Sequence, residues 1–358
     1  MRSSIQDLIP YDPGLTIEQL EQKIGKKVIK LSANESLWGP SPLVIGALSK
    51  GLVELKYYPD GGGGELKKAL SNLWALPVEN FCLGNGADEL IQMLATAFLD
   101  PADEVVIPRP TFSSYASSVT IVGGKISFIQ QNELTFKLEE IASQLNPNVK
   151  MLFLCNPNNP TGTFFSHLEL EKFLEIVPAQ TLVVLDEAYC HYATDPNFPR
   201  SQELLKKHRN LIILRTFSKV YSLAALRIGY AVAANEIIRE LEKIRQPYNV
   251  NTFAQIAAKT ALQDEEYLQN IVKATVEERE WLTNELRQRG MIVLPSQANF
   301  LLVQVNNAAA VCDKLLQEGI LVRNTASFDL PDWFRISLGP HQYMEKLMQS
   351  LAKVLNDF

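Results

Sequence analysis

The sequence predicts an α/β fold: a large unit on a mainly parallel central sheet sandwiched by helices, plus a smaller α+β unit. Three observations predict it. Residues 105–107 (VVI), 151–154 (MLFL), 182–185 (LVVL) and 211–214 (LIIL) are continuous apolar runs, as expected of strands buried on both faces. Segments between them, such as 168–177 (LELEKFLEIV), carry apolar residues at three- and four-residue steps, which is helical spacing. The pattern then changes near Gln246-Pro247, and a long charged helix follows, roughly 264–289.

The elements run in chain order. Residues 1–39 read as an N-terminal arm joining the smaller unit, with a Pro-punctuated start (IPYDPG) and one short helix at 16–25. Residues 40–245 read as the large unit, in which 88–98 (DELIQMLATAF) has helical spacing. Residues 246–358 read as the small unit. It opens with a charged helix near 264–289 that Gly290 stops. Strands near 291–294, 299–305 and 333–338 come next, more alternating than those before, with helices near 307–318 and 341–356. The four glycines at 61–64 read as a flexible loop and not a phosphate loop, because no strand feeds them and no Gly-Lys-Ser/Thr comes after.

A chain of 358 residues allows about two such units and burial of about three quarters of its unfolded surface. Apolar residues at 46% and charged residues at 21% exclude wholesale disorder. A net charge of −6 argues against nucleic acid or an anionic membrane as the main partner. Cys82, Cys155, Cys190 and Cys312 are unpaired in spacing and the four histidines are scattered, so neither a disulfide framework nor a metal site is expected. There is no apolar leader and no apolar run of spanning length. A cytoplasmic protein is the expectation.

The chemistry lies after the strands. Residues 156–162 (NPNNPTG) come after the second run, Asp186 to Tyr189 (DEAY) after the third, and Arg215 to Lys219 (RTFSK) after the fourth, with Arg227 eight residues on. Ligands of open α/β sheets bind beyond the carboxyl ends of the strands, so these segments should converge. Alone, Asp186 would read as a cap, Lys219 as a surface residue, 156–162 as a plain turn and Phe112 as core. Together they fit pyridoxal 5′-phosphate. Lys219 suits its aldehyde and Asp186 its ring nitrogen, while Asn159 and Tyr189 suit its phenolic oxygen. Thr216, Ser218 and Arg227 suit its phosphate, together with backbone N–H groups at Gly86, Ala87 and Asp88, where small residues precede a helix. Phe112 could stack on the ring. His191 reads as a packed neighbour of the pocket.

At these residues the chain resembles the fold-type I pyridoxal-phosphate aminotransferases, in particular the histidinol-phosphate aminotransferase group (class II). The resemblance rests on PYDPG (10–14), LSANES (31–36), GPSP (39–42), YPD (58–60), GNGADE (84–89), NPNNPTG (156–162), DEAY (186–189), RTFSK (215–219), LRIG (226–229) and FRISLG (334–339). The segment Ser36-Leu37-Trp38 and the four glycines depart from the family pattern. The resemblance implies a fold-type I architecture and covalent attachment of the cofactor at Lys219, with Asp186 and Tyr189 also catalytic. It implies transamination of histidinol phosphate with 2-oxoglutarate, with an aromatic aminotransferase or a phosphothreonine decarboxylase as alternatives. It places Arg335 and Arg323 at the substrate anion, and Tyr11 and Asn34 beside the substrate. It also implies a homodimer in which Tyr58 reaches the cofactor phosphate of the neighbouring subunit.

Overall fold

Two sheets organise the computed structural model, which describes every residue except 1, 2, 7, 9, 11–13, 132, 357 and 358. Strand β1 (Ile29–Leu31) belongs to the smaller sheet. Strands β2 (Phe81–Gly84), β3 (Glu104–Arg109), β4 (Lys125–Gln130), β5 (Val149–Cys155), β6 (Leu182–Asp186), β7 (Leu211–Thr216) and β8 (Gly229–Val232) form the larger, ordered β2-β8-β7-β6-β5-β3-β4. Strands β9 (Ile292–Val293), β10 (Phe300–Gln304), β11 (Ile320–Asn324) and β12 (Trp333–Ser337) complete the smaller sheet, ordered β1-β11-β12-β10-β9.

The four apolar runs are β3, β5, β6 and β7, and they pair in parallel. Only β8 runs against its neighbours in this sheet. The runs lack alternation because both faces are covered. Leu152, Leu154, Val183, Leu185 and Ile213 pack into one apolar cluster, while Met151, Phe153, Val184, Ile212 and Leu214 pack into another. Burying each such side chain contributes about 1.5–3 kcal/mol. Parallel pairing also sends every carboxyl end to one edge, and the register puts Cys155 level with Asp186. The segments that carry the chemistry therefore leave the sheet side by side.

The predicted helices stand at Ile17–Ile24, Ala87–Phe98, His167–Ile176, Glu265–Gln288, Ala308–Gln317 and His341–Asn356. Strands β1 and β11 and the helix Thr252–Ala261 were not expected. Strands β10 and β12 are not alternating but buried nearly throughout: Phe300 joins a cluster with Tyr189 and Tyr192, whereas Leu301 and Val303 face the small sheet's own core. The flexible reading of 61–64 is also corrected. The Asp60 carboxylate accepts the N–H groups of Gly62 at 2.9 Å and Gly64 at 2.7 Å, tying the run to the helix Gly64–Trp74. These bonds hold the Asp60 carboxyl below its ordinary range. Gly63 sits at φ +61°, where a Cβ would lie 2.3 Å from the Leu83 side chain, so the glycine there is a packing requirement.

Candidate active site

A cavity of about 320 Å³ opens beyond the carboxyl ends of β5, β6 and β7. Of the residues expected to carry function, Asn34, Ala87, Asp88, Phe112, Asn159, Asp186, Tyr189, Thr216, Ser218, Lys219, Arg227, Arg323 and Arg335 line it. Gly86 immediately precedes Ala87. Tyr58 does not line it: it is 81% exposed and stacks on Tyr248 with ring centroids 4.8 Å apart. Tyr11 lies outside the described residues.

Asp186 ends β6 and is buried. Its Oδ2 accepts the Tyr115 hydroxyl at 2.7 Å and its Oδ1 accepts the Ala188 N–H at 3.0 Å. Neither donor is a cation. Desolvation therefore dominates and raises its pKa to about 6. Across the cavity, Lys219 donates to the Ala33 carbonyl at 3.2 Å. Burial, with Arg335 nearby, lowers its pKa to about 8. A buried carboxylate without a cation and an amine ready to lose its proton thus share one cavity. A ligand with a positive ring nitrogen and a carbonyl satisfies both.

The anion end is built on the helix Ala87–Phe98, whose N-terminus has no side-chain cap. Its first N–H groups, from Ala87 and Asp88, are at the cavity wall, where the helix dipole favours negative charge. Arg227 lies against them. Its guanidinium donates to Ser218 Oγ at 3.3 Å and pairs with Asp88 at 3.3 Å. Gly86 sits at φ +82°, a conformation other residues rarely adopt, and a Cβ there would come within 2.4 Å of that guanidinium and displace it. Thr216 Oγ1 accepts the Ser218 N–H at 3.0 Å and so orients the loop.

The opposite wall comes from the smaller sheet and the segment after β1. Arg335 on β12 is buried, hydrogen-bonds Asn159 Oδ1, and donates to the Ser32 carbonyl at 2.8 Å. Its Nε has no partner among the described residues. With Oδ1 of Asn159 occupied, that amide keeps its NH₂ as a donor. Tyr189 accepts the Asn34 amide at 3.0 Å, which leaves its own proton to donate. Arg323 stands level with Arg335 across the β11–β12 pairing and donates to Ser327 Oγ at 3.4 Å. His191 is half-buried beside Tyr221 and Cys190 and does not line the cavity.

Sequence reasoning missed Ser32, Ala33, Cys155, Phe328 and, above all, Tyr115. Ser32 and Ala33 act through backbone carbonyls, which no residue type reveals. Tyr115 reaches Asp186 from 71 positions away, on a helix whose pattern looks like ordinary core. The completed donor set fits pyridoxal phosphate: carboxylate, amine, two phenolic-oxygen donors, and a helix terminus with arginine and serine.

Residues 26–351 match the family model for aminotransferase class I and II. A curated relative from Carboxydothermus hydrogenoformans, named histidinol-phosphate aminotransferase 2, is 40% identical over 358 residues, spanning 99% of each chain. One from Moorella thermoacetica, named histidinol-phosphate aminotransferase, is 39% identical and spans 99% of this chain and 92% of its own. The crystal structure of histidinol-phosphate aminotransferase from Sinorhizobium meliloti in complex with pyridoxal-5′-phosphate matches with a TM-score of 0.91 at 29% identity. It covers 100% of this chain and 98% of that one. The chain belongs to the class I and II aminotransferase family.

Proposed function

We propose that this chain is a pyridoxal-phosphate-dependent aminotransferase. It moves the amino group of histidinol phosphate to 2-oxoglutarate, giving imidazole acetol phosphate and glutamate in histidine biosynthesis. One observation carries the chemistry: among the described residues, buried Asp186 has only neutral donors, and it shares its cavity with Lys219. The substrate reading is supported by full-length relatives of that name and by the arginine pair. Arg323 and Arg335 stand level on neighbouring strands, a charge density that suits a phosphate dianion better than one carboxylate.

When bound, the cofactor supplies the electron sink for the pair left behind when the substrate Cα loses its proton. Lys219 Nζ would take that proton and return it at the cofactor's aldehyde carbon, on the far side of the nitrogen, and a pKa near 8 leaves a useful neutral fraction at physiological pH. Asp186, itself buried, would stabilise the positive ring nitrogen by its fixed charge. Tyr189 and the Asn159 amide donate to the phenolic oxygen. The N-terminus at Ala87, with Ser218 and Arg227, anchors the phosphate.

Each site is completed by a second copy in a cytoplasmic homodimer. Support comes from Tyr58, which is exposed and does not line its own cavity. Leu52, Val53, Leu55 and Tyr57 beside it are all more than half exposed, an apolar surface of the kind a partner covers. The free state of all four cysteines supports a reducing compartment, and no described helix is long and apolar enough to cross a membrane.

Product analysis tests the reading. Purified protein given cofactor, histidinol phosphate and 2-oxoglutarate should form glutamate in step with substrate loss. Glutamate from phenylalanine or tyrosine alone would move the substrate to the aromatic amino acids. Carbon dioxide from phosphothreonine, without glutamate, would make the protein a decarboxylase.

A further inference from the structure

We propose that Tyr115 is a positioning residue that holds Asp186 as an anion and thereby keeps a proton on the ring nitrogen of the cofactor. The proposal rests on the cofactor reading and adds a residue to it.

Tyr115 sits in the first turn of the helix Ser114–Val122 and is fully buried. Its ring is fixed from two sides. It stacks on Phe153 of β5 with centroids 4.8 Å apart and planes 11° apart, and meets the edge of Phe112 at 5.6 Å. The hydroxyl is the one free rotor left, and it donates to Asp186 Oδ2 at 2.7 Å. The Ala188 N–H holds Oδ1, so each carboxylate oxygen has one fixed donor and the plane of the group is set.

The other titratable groups around Asp186 do not supply this. Cys155 on β5, and Tyr189 and Cys190 after β6, are kept protonated by burial. Asp88, on the helix Ala87–Phe98, and Glu187 carry charges that push Asp186 toward its neutral form. Tyr115 opposes them. Burial and the adjacent carboxylate also drive its own hydroxyl well above the ordinary phenol range, so it stays a donor at every working pH.

The consequence is chemical. A carboxylate that accepts a short hydrogen bond is a weaker base, so the shared proton remains on the pyridine nitrogen. Without the hydroxyl, Asp186 competes for that proton and the ring loses its power to accept electrons. The backbone bond from Ala188 cannot substitute, since it holds the other oxygen.

The test is a nitrogen NMR spectrum of enzyme loaded with pyridoxal phosphate labelled with ¹⁵N in the ring. Wild type is expected to give a protonated-nitrogen signal throughout its folded pH range. In Tyr115→Phe the signal should move toward the unprotonated position, with kcat down about tenfold, the equivalent of one pKa unit, and KM little changed. Phe153→Leu, which removes the stacked ring but keeps the hydroxyl, should melt lower while its nitrogen signal stays at the wild-type position. A Tyr115→Phe spectrum and kcat matching wild type would overturn the proposal. Absence of any bound signal in wild type would instead sink the cofactor reading. If Tyr115→Phe does not fold, apo protein grown with 3-fluorotyrosine reads the same bond. The stronger donor must lower the pH at which the Asp186 carboxyl titrates, and an unchanged titration contradicts the proposal.

Discussion

The amide of Asn34 donates to the hydroxyl of Tyr189 at 3.0 Å and links the segment after β1 to the residue that ends the DEAY motif. Asn34 is buried and left-handed at φ +56°, and its backbone is held by Ser337 at 2.8 Å and Asn299 at 3.1 Å. The strained backbone is thus over-determined by its surroundings, and its product is an aimed phenol.

Asn34→Ala therefore combines two losses. The left-handed backbone costs an alanine about 1–2 kcal/mol, and Tyr189 loses its orienting donor. Thermal melting should fall and kcat with it. Asn34→Gly should recover much of the melting temperature without recovering kcat. Full catalytic recovery in the glycine variant would contradict the role given to the amide.

Asp186→Asn separates stability from activity. Burial raises the Asp186 pKa from 3.8 to about 6, so its stabilising contribution in cofactor-free protein is fully present below 3.8 and is lost as pH rises through 6. At pH 8 the amide removes this penalty, at most about 3 kcal/mol. Cofactor-free Asp186→Asn should melt no lower than wild type, while turnover drops at least about a hundredfold. Calorimetry and steady-state rates check the two halves.

Lys219 should capture pyridoxal phosphate with an unusual pH dependence. Burial first, then the charge of Arg335, lowers its pKa from 10.5 to about 8. Since only the neutral amine attacks an aldehyde, capture by cofactor-free protein should accelerate with pH and level off above about 8. A rate still climbing into the ordinary lysine range would contradict the lowered value. Stopped-flow absorbance resolves this.

Arg335→Lys keeps the charge but loses the planar fork that holds Asn159 and Ser32 while leaving Nε free. KM for histidinol phosphate should rise about tenfold or more, the scale of one charged hydrogen bond. An unchanged KM would remove Arg335 from the substrate site.

His191 sets an acid limit on the fold. Burial lowers its pKa from 6.5 to about 3. The unfolded chain takes up a proton below 6.5 that the folded chain refuses, so stability present above 6.5 is lost as pH falls, by about 1.4 kcal/mol per unit. His191→Phe should flatten this limb in urea titrations between those two values.

The large sheet and most of the site could be read from the chain because the same segments carry both. A parallel strand buried on two faces must be apolar throughout, and the residues just beyond its carboxyl end must meet the ligand. Asp186, Asn159 and Lys219 stand out for that reason. Strand β11 escaped because Ile320–Asn324 ends in a polar pair; it becomes a strand by pairing with β1 and β12. Tyr115 and the carbonyls of Ser32 and Ala33 escaped because they join the site through tertiary packing, not through a local signal. The four glycines misled in the other direction: flexibility is a property of glycine in isolation, and Asp60 with Leu83 removes it here.

The most direct test mixes cofactor-loaded protein with histidinol phosphate and no second substrate while absorbance is followed. The yellow band of the bound cofactor should disappear in proportion to the sites filled, and 2-oxoglutarate should restore it. A yellow band that histidinol phosphate leaves intact would contradict the proposed function at its centre.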